Sequence, residues 1–461
     1  MAGLQLGALP QSFQDAIYVA RCLGIDFVWI DALCIIQDDI EDREAEIGSM
    51  AYTFHAASVV LIAADAEDAY EGFLGRRPDR TQWRSIANDG SCDRLLWREA
   101  CMHSHVNEYG WCNISRRAWT LQERLMARRA LVFTDDTWIF DCRTSRTCEC
   151  QKRDPHAWTP KAQCSYTLGN SHTIVKFYAD PQEMREAFGT ASHRDLNLVW
   201  MNVVEHYTKH EITHPRDKLP AIGALAACQM ALRNDTYLAG IWEHGIEDQL
   251  AWLADPESCN ADFERTREHD APSWSWASSP GQVTFYPVLP ISAAHRYSVR
   301  LTYADCTPMS ASNPFGRISA GLLVLHGYYI DCEVHDFGLV NGISLRSLEG
   351  AEMQFHQSAE RLAYSIDLHL KQYGQRINAG ETGTSPRFKG SLLWLTEYSC
   401  LLLAPACRVP GAYQRVECLT QKSDSVHWLR DDEQLSDSPL TESRQSVASI
   451  AGVKYGEIKL V

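Results

Sequence analysis

The sequence predicts an α/β fold for the N-terminal part of the chain, then a mostly helical middle part and a β-rich C-terminal part. Three observations support this order. Helical periodicity alternates with short apolar runs in residues 1–64, helical spacing dominates residues 196–253, and strand-like runs follow residue 271. With 461 residues, 45% of them apolar, the chain is long enough for two or three domains with a sizeable core.

The first two predicted elements are a helix and a buried strand. Ser12 can cap the helix, with Asp15 three positions further on, and Gly24 is a suitable end. The run FVWI at residues 27–30 is short and fully apolar, which is typical of a strand covered on both faces of a parallel sheet.

A second helix and a second strand follow. Asp38 or Asp39 can cap the helix, and its apolar side is formed by Ile40, Ile47, Met50 and Phe54. The apolar run at residues 58–64 then predicts another buried strand, so the spacing is that of a strand–helix–strand unit. Residues 117–124 predict a helix start, and residues 131–133 and 138–140 predict a hairpin around Asp135 and Asp136.

The remaining pattern predicts four segments. We expect a first domain at residues 1–142, a linker or inserted loop at 143–195, a helical and then β-rich region at 196–420, and a partly mobile tail at 421–461. Strand candidates in the third segment are residues 283–286, 322–327 and 401–403.

Charge and composition exclude several classes of partner. The net charge of -16 and the short basic cluster from Arg124 to Arg129 disfavour DNA, RNA and anionic membranes. The first ten residues lack a signal-peptide pattern, and no apolar run approaches the ~20 residues that span a bilayer, so we expect a cytoplasmic protein. The 16 cysteines are scattered, which favours reduced thiols; Cys34 lies in an apolar run, where its thiol would be inert.

Three segments together resemble the fungal heterokaryon-incompatibility (HET) domain. LPQSFQDAI at residues 9–17 is similar to its opening motif, LGIDFVWIDALCIIQDD at 23–39 to its centre, and RAWTLQER at 117–124 to its closing motif. Less specific similarities continue at residues 215–222, 239–242 and 271–278. Since only eight residues precede Leu9, we expect this domain to lack the family's usual first strand.

The resemblance implies both a fold and a range of activities. The HET domain is distantly similar to TIR domains, which implies a flavodoxin-like sheet and nucleotide or NAD cleavage. In the family the domain acts in non-self recognition, and its activation by self-association or by a partner leads to cell death. Some proteins of this architecture are encoded among biosynthetic genes, and one promotes an intramolecular cycloaddition. Fold alone does not fix which activity applies.

Two carboxylates are the candidate catalytic residues. Asp31 follows the predicted strand at residues 27–30, at the end where open α/β sheets bind ligands, and could contact a ribose hydroxyl or act as a base. The alternative is that Asp31 caps the next turn. Glu123 is flanked by arginines that would keep it ionised, which suits stabilisation of a cationic transition state. The alternative is a structural ion pair at a helix start.

Further side chains near these motifs are candidate binding residues. Arg117 and Arg124 flank the candidate carboxylate of the closing motif, and Trp29 and Trp119 could line a pocket, although tryptophans at such positions are more often core. Asp38, Asp39 and Glu44 fit better as caps and a solvated face.

No cofactor and no metal are expected. Zinc ligands could come from a group of cysteines and histidines, but their spacing lacks the usual Cys-x-x-Cys pairs: Cys142, Cys148, Cys150, His156, Cys164 and His172. Phosphate-loop, Gly-x-Ser-x-Gly and His-Glu-x-x-His motifs are missing from the sequence.

Three functions remain open on the sequence. The first is a module of heterokaryon incompatibility and cell-death signalling, acting as a homo-oligomer or with a protein partner. The second is a cofactor-free enzyme of terpenoid or polyketide metabolism, such as a pericyclase that orients a small apolar substrate in an aromatic pocket; the chain has 14 tryptophans. The third is a TIR-like NAD hydrolase that uses Glu123 or Asp31.

Overall fold

A computed structural model gives the fold in two compact units. It describes residues 4–75, 84–85, 96–97, 114–135, 137–143, 145–149, 153–154, 177–189, 191–255, 258, 271–285, 299–334, 343–347, 352–355, 388–396, 399–406, 409–420 and 453–461. The first unit comprises Met1–Val199, Lys209–Arg233 and Ser310–Gly316, and the second comprises Trp200–Thr208, Asn234–Met309 and Arg317–Val461.

The first part of the chain alternates helices and strands. Its helices are α1 (Gln11–Cys22), α2 (Asp31–Cys34), α3 (Ile40–Ala56), α4 (Ala118–Met126), α5 (Pro181–Phe188), α6 (His193–Tyr207) and α7 (Pro220–Met230), with short 3-10 helices at Leu6–Ala8, Ile114–Arg116 and Pro215–Asp217. Its strands are β1 (Val60–Ala63), β2 (Arg84–Ser85), β3 (Leu96–Trp97), β4 (Arg129–Phe133), β5 (Trp138–Cys142), β6 (Arg146–Cys148) and β7 (Arg153–Asp154).

The main sheet of the first unit is mixed. Its order is β1-β4-β5-β6-β7, in which β1 is parallel to β4 and the other neighbours are antiparallel. The α/β class and the predicted hairpin are therefore confirmed. The TIR-like, flavodoxin-like sheet is not confirmed, because such a sheet is mostly parallel and the described strands contain one parallel pair here.

The predicted strand at residues 27–30 is wrong. This run has no strand partner among the described residues, and the side chains of Phe27 and Val28 are 89% and 37% exposed. The sheet in this unit starts at β1, which pairs on one side with β4, so the apolar run lies outside the ladder. Apolarity alone identified a segment suited to burial, but it could not show whether a neighbouring strand would be there to pair with it.

The two predicted helices are present, with different N-terminal details. α1 begins after Pro10 and has no side-chain cap, so the proposed cap by Ser12 is wrong. Asp15 is instead buried and accepts hydrogen bonds from the backbone N–H groups of Phe73 and Leu74 at 2.8 and 3.0 Å. Gly72 precedes this contact with φ +79°. Asp15 therefore fixes the loop after β1 rather than the helix start.

The cap of α3 is confirmed. Asp39 accepts hydrogen bonds from the backbone N–H groups of Glu41 and Asp42 at 2.9 and 3.1 Å. These bonds satisfy N–H groups of the first turn that have no partner within the helix, and they end the preceding loop at a defined residue.

One face of the mixed sheet carries a buried hydrophobic cluster, against which the partly buried Val60 and Ile62 pack. A cluster of small and branched residues packs there: Ala64, Ala127, Ala130, Val132 and Ile139. On the other face, Phe73 stacks against Phe133 with ring centroids 4.8 Å apart. The opposite faces of the same strands thus differ in how completely they are covered.

The second unit is rich in strands. Its further elements are β8 (Tyr237–Leu238), β9 (Ile241–Trp242), α8 (Ile246–Gln249), β10 (Trp252–Ala254), β11 (Val283–Phe285), β12 (Arg300–Pro308), β13 (Ile318–Val334), β14 (Ile343–Ser347), β15 (Glu352–Phe355), β16 (Phe388–Trp394), β17 (Ser399–Pro405), β18 (Tyr413–Thr420) and β19 (Lys454–Leu460), with a 3-10 helix at Trp276–Ser278. The predicted β-rich C-terminal part is confirmed.

The longest strand, β13, closes a ring of five strands. It pairs with β16, and the ladder continues through β17, β18 and β19 back to β13. Closure leaves these five strands without a free edge along the paired residues, which is one way that antiparallel sheets avoid open edges.

Buried tryptophans organise the other half of this unit. The indole N–H groups of Trp200 and Trp276 both donate to the carbonyl oxygen of Gly240 at 2.7 Å. The carbonyl of Ala239, a residue with φ 44°, accepts from the hydroxyl of Ser275 at 2.6 Å. Such buried carbonyls are costly unless they are hydrogen-bonded, so the indoles and the serine hold this turn in place.

Several sequence predictions fall on other parts of the chain. Residues 155–176 of the predicted linker and residues 421–452 of the predicted tail lie outside the described residues. The described parts of the predicted linker at 143–195 and of the predicted tail at 421–461 contain regular elements, such as α5 and β19, and the boundaries between the four predicted segments stay predictions. Among the described residues, no helix has both the length and the apolarity needed to cross a membrane.

Candidate functional site

Helix α4 carries Glu123, and its position is fixed by backbone contacts at its start. The N–H of Ala118 donates to the carbonyl of Glu211 at 2.9 Å, and Arg117 forms an isolated parallel bridge with Glu211. The hydroxyl of Thr120 donates to the carbonyl of Arg117 at 2.7 Å. The first turn of α4 is thus held by residues of the same unit.

The rotation of α4 about its axis is set by the neighbour of Glu123. Gln122 is 1% exposed, and its amide N–H lies 3.9 Å from the sulfur of Met50 on α3. Its amide oxygen accepts from the N–H of Ala224 on α7 at 3.3 Å. A buried amide that is satisfied by two helices resists rotation, because turning would leave its polar atoms without partners.

Asp31 opens the four-residue helix α2 and is exposed. One carboxylate oxygen accepts from the N–H of Ala32 at 2.7 Å, so the proposed role in the following turn occurs. The hydrogen bond uses Oδ1 and leaves Oδ2 without a hydrogen bond from the described part of the chain. Asp31 can therefore hold the turn through Oδ1 and still contact a ligand through Oδ2.

Glu123 differs from the prediction that arginines would keep it ionised. The pKa of its carboxyl group is raised from 4.5 to about 7, first by burial and then by the negative charge of Asp31, while the positive charge of Arg117 opposes both. The prediction was wrong because the cost of desolvating the carboxylate exceeds the attraction of the guanidinium. Within the described residues Glu123 makes no ion pair, so the structural ion pair at the helix start is absent there.

The structure brings two of the other five candidate residues, Asp31 and Arg117, within electrostatic range of Glu123. Trp29 is half-buried and contacts Phe54 edge-on, with ring centroids 5.6 Å apart. Trp119 is half-buried and Arg124 partly exposed. Binding roles for these last residues stay predictions.

The other acidic residues of the motifs have structural contacts. Asp39 is the α3 cap described above, and Glu44 is buried and accepts from the side-chain amide of Asn313 at 3.1 Å. The solvated face expected for Glu44 is therefore wrong. Cys34 is exposed rather than buried in an apolar environment.

The proposed zinc ligands lie partly outside the described residues: Cys150, His156, Cys164 and His172. Cys142 lies 3.3 Å from the carbonyl oxygen of Ser145, and Cys148 lies 3.1 Å from the hydroxyl of Thr137. Since the other four candidate ligands lie outside the described residues, the expectation that no metal is bound stays a prediction.

The pair of carboxyl groups is suited to proton transfer near neutral pH. A carboxyl with a pKa of about 7 is part protonated and part ionised at pH 7, which is the condition for efficient general acid–base catalysis. The exposed Asp31 beside it is reached from solvent. This arrangement can hold a proton at Glu123 and present a second carboxylate to a ligand.

Sequence reasoning missed a cavity on the less covered face of the mixed sheet. The cavity has a volume of about 690 Å³, and its lining includes Leu23, Ile25, Leu131, Trp138 and Phe140. The alternation of side chains along β4 and β5 could have indicated which residues share a face. It could not have indicated that part of this face would stay uncovered.

Sequence reasoning also missed an ion-pair cluster that joins α3 to α5. Nδ1 of His55 accepts from the guanidinium of Arg143 at 3.0 Å and from the N–H of Ala179 at 3.2 Å. The same guanidinium binds Glu183 at 2.5 Å. No local motif indicates such a cluster, because its hydrogen bonds join residues that are 40 to 124 positions apart in the sequence.

Comparison with known proteins gives one family. Residues 2–123 match the model of the family described as Heterokaryon incompatibility protein (HET). This segment includes both Asp31 and Glu123. No curated protein and no solved structure matches the chain.

Proposed function

The chain carries a HET domain in residues 2–123, and from this premise we propose that the protein acts in heterokaryon incompatibility, as a non-self recognition module whose activation leads to cell death. The observation that carries the proposal is the position of Asp31 and Glu123. Both carboxylates lie in the matched segment, far apart in sequence, and interact electrostatically in the fold.

The contacts around the pair support a working site rather than a structural one. The Glu123 carboxyl is desolvated without a compensating ion pair from the described residues, which costs folding free energy. Gln122 and Glu211 meanwhile hold the helix that carries it. Groups with raised pKa values in fixed positions are concentrated at functional sites.

Expression in a filamentous fungus from an inducible promoter tests the proposal. We expect induction of the wild-type chain to arrest growth or lyse the cells, and Asp31→Asn or Glu123→Gln to abolish this effect at equal protein level. The matched control is Asp26→Asn, an exposed acidic residue of the same segment. It should remain as toxic as the wild type.

Two results would argue against this function. Normal growth of cells that contain abundant wild-type protein would exclude the proposed role in cell death. A changed metabolite profile without toxicity would favour the alternative role as an enzyme of specialised metabolism. If toxicity persists in both carboxyl variants, the Asp31–Glu123 pair is not its source.

The raised pKa of Glu123 favours NAD hydrolysis as a second candidate function. In that reaction water adds to C1 of the ribose that carries nicotinamide, the C–N bond breaks, and nicotinamide and ADP-ribose form with release of one proton. In this scheme the exposed carboxylate of Asp31 stabilises the cationic ribosyl transition state, and Glu123, whose pKa of about 7 suits proton transfer, accepts the proton of water.

Incubation of the purified chain with NAD tests this second function. We expect nicotinamide release by the wild type and a loss of at least a hundredfold in Glu123→Gln, with Asp26→Asn unchanged. Unaltered NAD at high protein concentration, or full activity of Glu123→Gln, would exclude it.

A further inference from the structure

The mixed sheet of the first unit has one closed face and one partly open face. Register places Leu61, Leu131, Phe140 and Thr147 side by side across four neighbouring strands, so their side chains lie on the same face. These four residues are half-buried, whereas Ala130 on the opposite face is fully buried. A sheet made mostly of antiparallel strands can leave one face partly open.

The uncovered part of this face forms a cavity of about 690 Å³. Leu23 and Ile25, which follow the end of α1, line it together with Leu131 and Phe140, and Trp138, which also lines it, is 38% exposed. This volume and this aliphatic and aromatic lining are within the range of small-molecule sites, which are concave and mostly apolar.

A single charged side chain stands among the lining residues. Arg129 is exposed, and its guanidinium makes one long contact of 3.5 Å to the carbonyl oxygen of Ser58. It forms no ion pair with an acidic residue in the described part of the chain, unlike Arg128 beside it, which binds Glu183 at 3.0 Å. The cavity thus combines an apolar interior with one guanidinium at its rim.

From this combination we infer that the cavity binds a small molecule with a planar apolar body and one anionic group, such as a carboxylate or a sulfonate. The body would pack against Trp138, Phe140 and Leu131, and the anionic group would meet Arg129. The guanidinium can donate two parallel hydrogen bonds to such an oxyanion, which fixes the orientation of the bound molecule.

This site is independent of the carboxylate pair. In the part of the chain that the structure describes, its lining contains neither Asp31 nor Glu123, and the one charged side chain there is that of Arg129. The two sites can therefore be disabled separately, and the outcome for one says nothing about the other.

Two fluorescent probes that share their rings but differ in charge test the inference on the full chain. Anilinonaphthalene sulfonate carries one sulfonate, and N-phenyl-1-naphthylamine has the same rings without it. We expect both to bind saturably. Arg129→Gln should lower the affinity for the sulfonate probe about tenfold and change the affinity for the neutral probe by less than about twofold. The matched control Arg216→Gln, an exposed arginine of the same unit, should change neither.

A larger side chain that fills the cavity should prevent both probes from binding. Thr147→Trp places a large side chain next to Phe140, and we expect affinity for both probes to fall by more than tenfold. If circular dichroism shows that this variant is misfolded, Thr147→Gln, with a smaller side chain, replaces it in the same experiment. Unsaturable binding, an unchanged sulfonate affinity in Arg129→Gln, or full binding by a folded cavity-filling variant would overturn the inference.

Discussion

Replacing Glu123 with Gln removes a carboxyl group whose ionisation opposes folding. The pKa of this group is about 7 in the folded chain and 4.5 as its ordinary value, and the cause is first burial and then the charge of Asp31. A difference of about 2.5 pH units corresponds to about 3 kcal/mol of folding free energy. The folded state holds the proton more tightly, so this stability is present below pH 4.5 and is lost as the pH rises to 7.

The variant should therefore become more stable relative to the wild type as the pH rises. Between pH 5.5 and pH 8.5 the free energy of unfolding of the wild type should fall by about 2 kcal/mol more than that of Glu123→Gln. Urea unfolding followed by tryptophan fluorescence at each pH measures this difference. Where the two compact units unfold in separate transitions, the change belongs to the transition of the first unit.

A comparison of variants isolates the effect, since every other titrating group is common to them. Asp26→Asn, which removes an exposed carboxylate of the same segment, is measured beside it as the control for the loss of a surface charge. If the difference between Glu123→Gln and the wild type is constant, or shrinks as the pH rises, the assignment of a desolvated carboxyl group to Glu123 is wrong.

Further predictions concern stability away from this pair. Asp15→Ala should destabilise the first unit by about 2–3 kcal/mol in urea unfolding, because it leaves two backbone N–H groups unsatisfied, whereas exposed Asp26→Ala should cost less than about 0.5 kcal/mol. Gly321→Ala should lower the melting temperature, since its Cβ would lie 2.4 Å from a proline carbon, while Gly456→Ala, with its nearest contact at 3.4 Å, should have little effect. Burial lowers the pKa of His55 below 6.5, so the stability due to this group is lost as the pH falls below 6.5; the wild type should lose more stability than His55→Gln between pH 7 and pH 5, and parallel pH curves would contradict this.

Local patterns predicted elements whose determinants are local. Asp39 caps α3 because its side chain meets N–H groups two and three residues away, and the hairpin of β4 and β5 follows from two apolar runs and a short polar turn. Predictions of this kind need no knowledge of the rest of the fold.

Long-range contacts explain the failures. Residues 27–30 have the composition of a buried strand but no strand to pair with, and Asp15 looked like part of a helix cap while its partners lie 58 and 59 residues away. The mixed sheet also differs from the flavodoxin-like arrangement that the resemblance implies. Sequence patterns describe which surfaces a segment can bury, and the partner is decided elsewhere in the chain.

The candidate site was predicted in part. The motifs indicated Asp31 and Glu123, and the fold brings the two within electrostatic range. The prediction for the ionisation of Glu123 was wrong for a physical reason. The sequence shows the neighbouring arginines, but it does not show that the surrounding helices desolvate the carboxyl group. The apolar cavity beside Arg129 was missed for the same reason, since exposure of one sheet face is a property of the assembled unit.

The most direct measurement is the carboxyl pKa of Glu123 itself. The protein would be labelled with carboxyl-13C glutamate and titrated by NMR, and the signal that vanishes in Glu123→Gln would identify the residue. We predict a pKa of about 7 that falls in Asp31→Asn, because a negative charge that raises it is removed. A value near 4.5 that does not respond to Asp31→Asn would contradict the claim that the two carboxylates form one site.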